Sequence, residues 1–261
     1  MTIQVLISTM HQKDYSLLDR MNIQSDAIVV NQCDRNEIFE FEYKGHQIKW
    51  ISLAERGVGL SRNTALMRAT ADILLFADDD VVYLDGYVDI VCSEFINNPK
   101  VDVFTFNLNS LNASRPEYLD SKNHKLHWHN SLKYGATRIS IRRESAFKKN
   151  LTFSLLFGGG AVHQAGEDNL FITQALQSGM NVWASKALIG TVNQEESTWF
   201  KGYNERYYFD RGYLFGNMYG WKAKYLLMLL EFKEKHTKSQ LSFHQRLKIE
   251  KKAIKEYLGK K

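Results

Sequence analysis

Apolar and polar positions follow two alternating rhythms through the first half of the chain. "IQVLIS" (3–8), "AIVVN" (27–31), "HQIKWISL" (46–53) and "DILLFA" (72–77) are short β-branched runs with the length and texture of strands. "SLLDRM" (16–21) and "GLSRNTALMRAT" (59–70) are spaced helically, the latter with Leu60, Thr64, Met67 and Arg68 in line. "YVDIVCSEFINN" (87–98) continues as helix and "VDVFTFNL" (101–108) as strand. This order predicts an α/β fold: an open, mostly parallel sheet covered by helices on both faces, with ligands beyond the carboxyl ends of its strands.

The second half is less regular. Residues 108–136 are polar and loop-like, "RISIRRESAFKKN" (138–150) is strand then helix, and "LLFGGGAVHQ" (155–164) is a glycine-rich turn. "GEDNLFITQALQSG" (166–179) is a helix with Glu167 and Asp168 in its first turn and Gly179 as its stop. "NVWASKALIGTVN" (181–193) returns as strand. From Ser197 to Lys238 the chain is aromatic and helical, and "SFHQRLKIEKKAIKEYLGKK" (242–261) is an amphipathic, basic helix.

Composition narrows the class. With 261 residues, 13% of them aromatic, and only Pro99 and Pro116 as prolines, this is a chain with a sizeable core and not a disordered one. Cys33 and Cys92 stand far apart in no metal-type spacing, which suits a reducing cytosol. "MTIQVLISTM" lacks the features of a signal peptide, and the longest apolar run, "YLLMLL" (225–230), is too short to span a bilayer. The expectation is a cytoplasmic protein, soluble or peripheral to a membrane. The net charge of +5 is uneven: residues 222–261 hold 12 Lys/Arg against 4 Asp/Glu, and the rest of the chain is net −3. That argues against nucleic acid as a partner and for a basic appendage that meets something anionic.

The strand at 72–77 runs into Asp78, Asp79 and Asp80. Like charges about 4 Å apart repel by ~4 kcal/mol at an effective dielectric near 20, so a cation, backbone donors or solvation must offset them. Strand alternation puts Asp78 and Asp80 on one side, and two hard oxygen donors suit magnesium or manganese. A solvated acidic turn is the ordinary alternative.

The segment "ERGVGLSRNTALMRATADILLFADDD" (55–80) resembles the signature of family 2 nucleotide-sugar glycosyltransferases with the glycosyltransferase A fold. There a Gly-x-Ser-x-x-Arg-Asn run precedes a strand ending in Asp-x-Asp; "GLSRN" has two residues fewer between serine and arginine. The resemblance implies Arg62 as partner of the nucleotide or its diphosphate and Asn63 as shaping that turn. It implies Asp78 as the ribose-facing acid beside the metal, Asp79 as the variable middle position on the nucleotide, and Asp80 as ligand of a divalent manganese or magnesium ion. "VLISTM" and "AIVVNQCD" resemble the strands whose tips hold the base, which brings in Thr9, Asn31 and Gln32. Amides replace the usual acids there and can still pair with a uracil edge. "GGGAVHQAGEDNLF" resembles the acceptor-side segment, implying Asp168 as the base that deprotonates an acceptor hydroxyl in an inverting transfer, and Glu167 as its neighbour. The ordinary alternative is that acids are favoured at helix N-termini by the dipole.

"VNQEESTWFKGYNERYYFDRGY" (192–213) resembles the closing segment of bacterial polysaccharide-assembling members. Related enzymes often place a metal-binding histidine there; Gln194, Glu195 and Glu196 stand instead, and Trp199, Tyr203 and Tyr207 either stack on a sugar or pack the core. "HKLHWHN" (124–130) spaces His124, His127 and His129 in a way that favours a solvated or acceptor-facing loop over zinc. The tail, with Phe243, Leu247, Ile254 and Leu258 on its last helix, fits an interfacial helix on an anionic membrane surface, or packing on the body or in a homodimer.

These readings combine into a single glycosyltransferase A (Rossmann-like) domain over residues 1–200, with a nucleotide-sugar half at about 1–107 and an acceptor half at about 108–200, and a basic helical extension over 201–261. The function implied is inverting, metal-dependent transfer of a sugar from a UDP-sugar to a hydroxyl of a glycan or lipid-linked oligosaccharide. Its setting would be surface-polysaccharide or capsule synthesis at the inner face of a bacterial membrane. Two alternatives stay open: a sugar nucleotidyltransferase, although no glycine-rich phosphate loop follows the first strand, and a catalytically inactive glycan-binding or assembly protein of the same fold.

Overall fold

In the computed structural model, residues 1–112, 114, 116–193, 202–233 and 239–259 are described. Gln194, Glu195, Glu196 and Trp199 lie outside the described residues. The first half comprises β1 (Ile3–Met10), α1 (Leu17–Arg20), β2 (Asp26–Gln32), β3 (Glu37–Tyr43), β4 (His46–Leu53), α2 (Val58–Leu66), β5 (Ile73–Asp78), β6 (Val81–Tyr83), α3 (Tyr87–Asn97) and β7 (Val103–Ser110). The second comprises β8 (His124–Lys125), β9 (Ile139–Arg142), α4 (Arg143–Lys148), α5 (Glu167–Gln177), β10 (Val182–Val192), α6 (Glu205–Tyr219), α7 (Ala223–Lys233) and α8 (Phe243–Gly259).

Among the described residues the strands form one ten-stranded sheet in the order β3-β4-β2-β1-β5-β9-β7-β10-β6, with β8 paired to β10. β4, β2, β1 and β5 are mutually parallel, as are β7 and β10. β9 runs antiparallel between β5 and β7, so the carboxyl ends of both parallel groups and the amino end of β9 share one edge of the sheet. Successive β1 residues serve opposite layers. Val5 and Ile7 join Leu17 of α1 and Tyr87 and Phe95 of α3; Leu6 joins Leu66 of α2 and Phe171 of α5. Burial on both faces is why these strands read as almost unbroken apolar runs.

The packing sets two helix faces that the sequence left open. The side of α2 turned inward is Gly59, Ser61, Arg62, Ala65 and Leu66, and Met67 is 62% exposed, so the Leu60–Thr64–Met67–Arg68 line faces outward or sideways. The apolar side of α8 also faces the protein: Leu247, Ala253 and Ile254 are buried. α8 lies against α6 where Gly212 and Gly216 carry no side chain; a Cβ on Gly212 would come within 2.6 Å of the Glu250 carbonyl. Arg211 reaches Glu250 at 2.7 Å and also bonds Glu231, and Arg246 reaches Glu231 at 2.7 Å, joining α6, α7 and α8 through buried charges. Leu247 and Ile254 are therefore not a membrane-facing surface. Among the described residues no helix is long and apolar enough to cross a membrane.

Candidate active site

Strand register assembles the site. Ser8 of β1 pairs with Asp78 of β5, while Thr9 and Met10 pair with Asn31 and Gln32 of β2, bringing Thr9, Asn31, Gln32 and Asp78 to one edge. The Asn193 N–H donates to the Asp80 carbonyl at 2.9 Å, which ties the end of β10 to the same corner. A cavity of about 260 Å³ opens there, lined by Asp78, Asp80, Glu167 and Asp168 with Arg62 among them, and walled by Leu108, Glu117, Gly135–Arg138 and Val192. Arg138 is held in the wall: its guanidinium donates to the carbonyls of Phe106 (2.6 Å) and Tyr118 (2.8 Å) and to Asn107 (2.8 Å), and pairs with Asp120 at 3.4 Å and with Glu117 of the cavity lining at 3.8 Å.

Arg62, 4% exposed, donates to Glu167 at 2.8 Å and to the two Asp78 oxygens at 2.9 and 3.0 Å. Burial disfavours its charge, but Asp78 and then Glu167 outweigh that and hold the guanidinium protonated. Asp80 has no such partner. Its Oδ1 is buried without a hydrogen bond, and desolvation, followed by repulsion from Asp78 and Asp79, pushes its carboxyl up to about 7. Asp79 points out of the cavity and accepts a short hydrogen bond from the Thr9 hydroxyl. Asp168 opens α5 from the cavity wall; desolvation and neighbouring Glu167 raise its pKa above the usual carboxylate range. Its Oδ1 accepts from the Asn169 N–H (2.7 Å) and amide (3.1 Å), leaving Oδ2 toward Gly135.

The cavity is lined by five carboxylates, Glu117 among them, against the two guanidiniums of Arg62 and Arg138, and burial pushes Asp80 and Asp168 toward their neutral forms; a bound cation would favour the ionised ones. Among the described residues no three His, Cys, Asp or Glu side chains are grouped to hold a metal ion. What fits a divalent ion is the orphaned oxygen of Asp80, together with Asp78, whose oxygens keep a lone pair each after accepting from Arg62.

Two glycine turns bring Arg62 and Glu167 together. Val58 N–H donates to the Gly159 carbonyl at 2.9 Å, and Asn63 exchanges hydrogen bonds with the Phe153 backbone at 2.7 and 2.8 Å. Gly158 has φ +102°, and a Cβ there would lie 2.6 Å from Val58 Cγ1 and 2.8 Å from the Glu167 carboxyl. Gly158→Ala is therefore expected to displace Glu167 and lower sugar transfer about 10²-fold, as ~1 Å misplacements do, in a protein that still folds. Turnover and circular dichroism compared side by side check this.

The β2 amides serve the backbone rather than a cavity. Asn31 is fully buried, accepting from the Gln12 N–H and donating to the Gln12 carbonyl, both at 3.0 Å. Gln32 Oε1 accepts from the Gly57 N–H at 2.7 Å. A second cavity, of about 200 Å³ and missed by sequence reasoning, lies beside them between Gln12, Lys13, Asp14, Tyr15, Arg35, Phe39, Trp50 and Ser52. His163, in the loop before α5, is a further missed feature: its Nδ1 is 2.8 Å from Asp210 of α6, and its ring stacks on Phe157 and Tyr213. Tyr203 and Tyr207 pack edge to face at 5.0 Å.

The sequence pattern of the family described as Glycosyl transferase family 2 matches residues 16–156, more than half of the chain. The chain belongs to glycosyl transferase family 2. This family 2 glycosyltransferase shares its fold with solved structures of S. aureus TarS. TarS 1–349 in complex with UDP-GlcNAc aligns with TM-score 0.61 and 15% identity over 99% of this chain and 72% of that one. TarS itself aligns with TM-score 0.57 and 16% identity over 99% of this chain and 43% of that one. TarS 1–349 in complex with UDP aligns with TM-score 0.56 and 13% identity over 99% and 71%. No curated protein matches the chain.

Proposed function

We propose that this glycosyltransferase transfers a sugar, with inversion, from a UDP-sugar to a hydroxyl of a glycan or lipid-linked oligosaccharide, in the assembly of a bacterial surface polysaccharide. The observation that carries this reading is the shared cavity, in which Asp80, with one carboxylate oxygen buried and without a hydrogen bond, and Asp168, with its raised pKa, face the same space. Uridine is favoured because TarS, of the same fold, is described with UDP-GlcNAc and with UDP. The aromatic cavity at Tyr15, Phe39 and Trp50 offers ring faces for a base, in place of the buried amides of Asn31 and Gln32.

In this reading Asp168 Oδ2 takes the proton of the acceptor hydroxyl as its oxygen bonds to the anomeric carbon, and the bond from that carbon to the nucleotide diphosphate breaks on the opposite face. Glu167 is held by Arg62 and keeps the α5 terminus in place. Arg62 also fixes Asp78 at the donor side. Asp80, with Asp78, would hold a magnesium or manganese ion, which when bound supplies neutralisation of the departing diphosphate.

The test is calorimetric titration of UDP with manganese, with chelator and with Asp80→Ala. Binding is expected with manganese and lost in the other two cases. Equal affinity in all three would remove Asp80 and the metal from the scheme.

A further inference from the structure

Helix α7 is apolar on opposite sides. Ala223 and Leu227 are buried with Phe215 of α6 and Ile254 of α8. On the far side Trp221, just ahead of the helix, and Tyr225, Leu229 and Phe232 within it are 64%, 49%, 56% and 71% exposed. Their spacing of four, four and three residues puts them in one line. Scattered exposed apolar residues are ordinary, but a continuous line on a helix whose other side is already buried is a surface made to be covered.

Helix α8 supplies the complementary charge. Its inward side is taken up by Leu247, Glu250, Ala253 and Ile254, and Lys248, Lys251, Lys252 and Lys255 are all exposed. Spaced by three, one and three residues, these lysines share the face turned away from the protein. Phe232 of α7 meets Phe243 of α8 with ring centroids 5.0 Å apart, so the two helices are neighbours where the apolar line ends.

We propose that the outer faces of α7 and α8 seat the protein on an anionic lipid bilayer, with the apolar line in the headgroup–acyl boundary and the lysines on the headgroups. Charge selects this occupant over a second copy of the chain. A two-fold contact through this surface would bring one lysine row toward its own image, whereas an anionic leaflet neutralises it. Residue type points the same way, since Trp and Tyr favour the membrane interface and Lys extends its stem across it. Trp128, 56% exposed, lies beside Tyr219 at the end of α6, two residues before Trp221 in the chain. Lys222 and Lys224, both exposed, flank the start of the line. The helices lie on the bilayer rather than across it.

The test is flotation of the full chain with phosphatidylcholine vesicles, alone or mixed with phosphatidylglycerol, at low and high salt and without nucleotide, so its outcome is independent of the donor reading. Binding is expected with the anionic vesicles only and is expected to weaken at high salt. A Lys248→Gln/Lys251→Gln/Lys252→Gln/Lys255→Gln variant is expected to bind at least 100-fold more weakly, about five-fold per charge near the surface. A Trp221→Ser/Leu229→Ser/Phe232→Ser variant is expected to lose flotation and keep its circular dichroism, since all three side chains point away from the core. Wild-type binding by either variant, or no binding of the wild type to anionic vesicles, would overturn the proposal. So would a dimer in light scattering that the serine variant abolishes while vesicles go unbound.

Discussion

Asp168→Asn is expected to lower sugar transfer by about 10²–10⁴-fold, the usual worth of a positioned general base, with UDP affinity little changed. The substitution keeps the shape of the side chain at the start of α5 and removes its ability to take a proton. The same residue sets an expected pH profile. A base works only when ionised, and Asp168 is pushed above its ordinary 3.8 by desolvation and by Glu167, so the active fraction falls as pH drops through that raised value. The acid limb of kcat is therefore expected well above the usual carboxylate range and absent from the residual activity of the Asn variant. Single-turnover rates across pH with a UDP-sugar and a glycan acceptor measure both. Full turnover in Asp168→Asn would reduce the residue to a helix-terminal acid.

Arg62→Met is expected to cost about 3–5 kcal/mol of stability, the range seen when one partner of a buried ion pair is removed. Methionine fills part of the volume and leaves Asp78 and Glu167 facing each other across a cavity that already holds Asp80 and Asp168. Urea denaturation gives the magnitude. Adding Glu167→Gln is expected to recover part of the loss, because it removes one of the stranded charges. A loss below about 0.5 kcal/mol, the scale of an ordinary surface change, would show that the carboxylates find water without their arginine.

Much of the fold was legible because parallel strands buried on two faces leave unbroken apolar runs, as in β1, β2 and β5, and because Gly179, at φ +77°, ends α5 as a helix-stopping glycine should. What was missed has physical reasons. β3 lies at the sheet edge with Ile38 58% and Phe39 49% exposed, and glutamates between its aromatics mask its alternation. Its hairpin turn, Lys44–Gly45 with φ of 49° and 83°, was the available cue. The inward side of α2 could not be found by apolar spacing, since Arg62 is buried by virtue of partners 16 and 105 residues away. The carboxylates Asp78, Asp80, Glu167 and Asp168, implied by resemblance, do line one cavity; the amides of Asn31 and Gln32 bond the backbone of Gln12 and Gly57, partners that a motif does not display. Gly212 and Gly216, four residues apart, were the sign that α8 would pack on α6.

The hydrogen bond from Arg62 to Glu167 closes a loop of 105 residues. Contacts so remote in sequence carry a high loop-closure cost that the intervening strands must offset. A chain cut before α5 keeps Asp78 to Asp80 at the end of β5 and Arg62 with half its partners, and lacks Asp168, the proposed base. Turnover thus requires the α/β body through α5, and its recovery after dilution from denaturant is expected to follow closure of this contact.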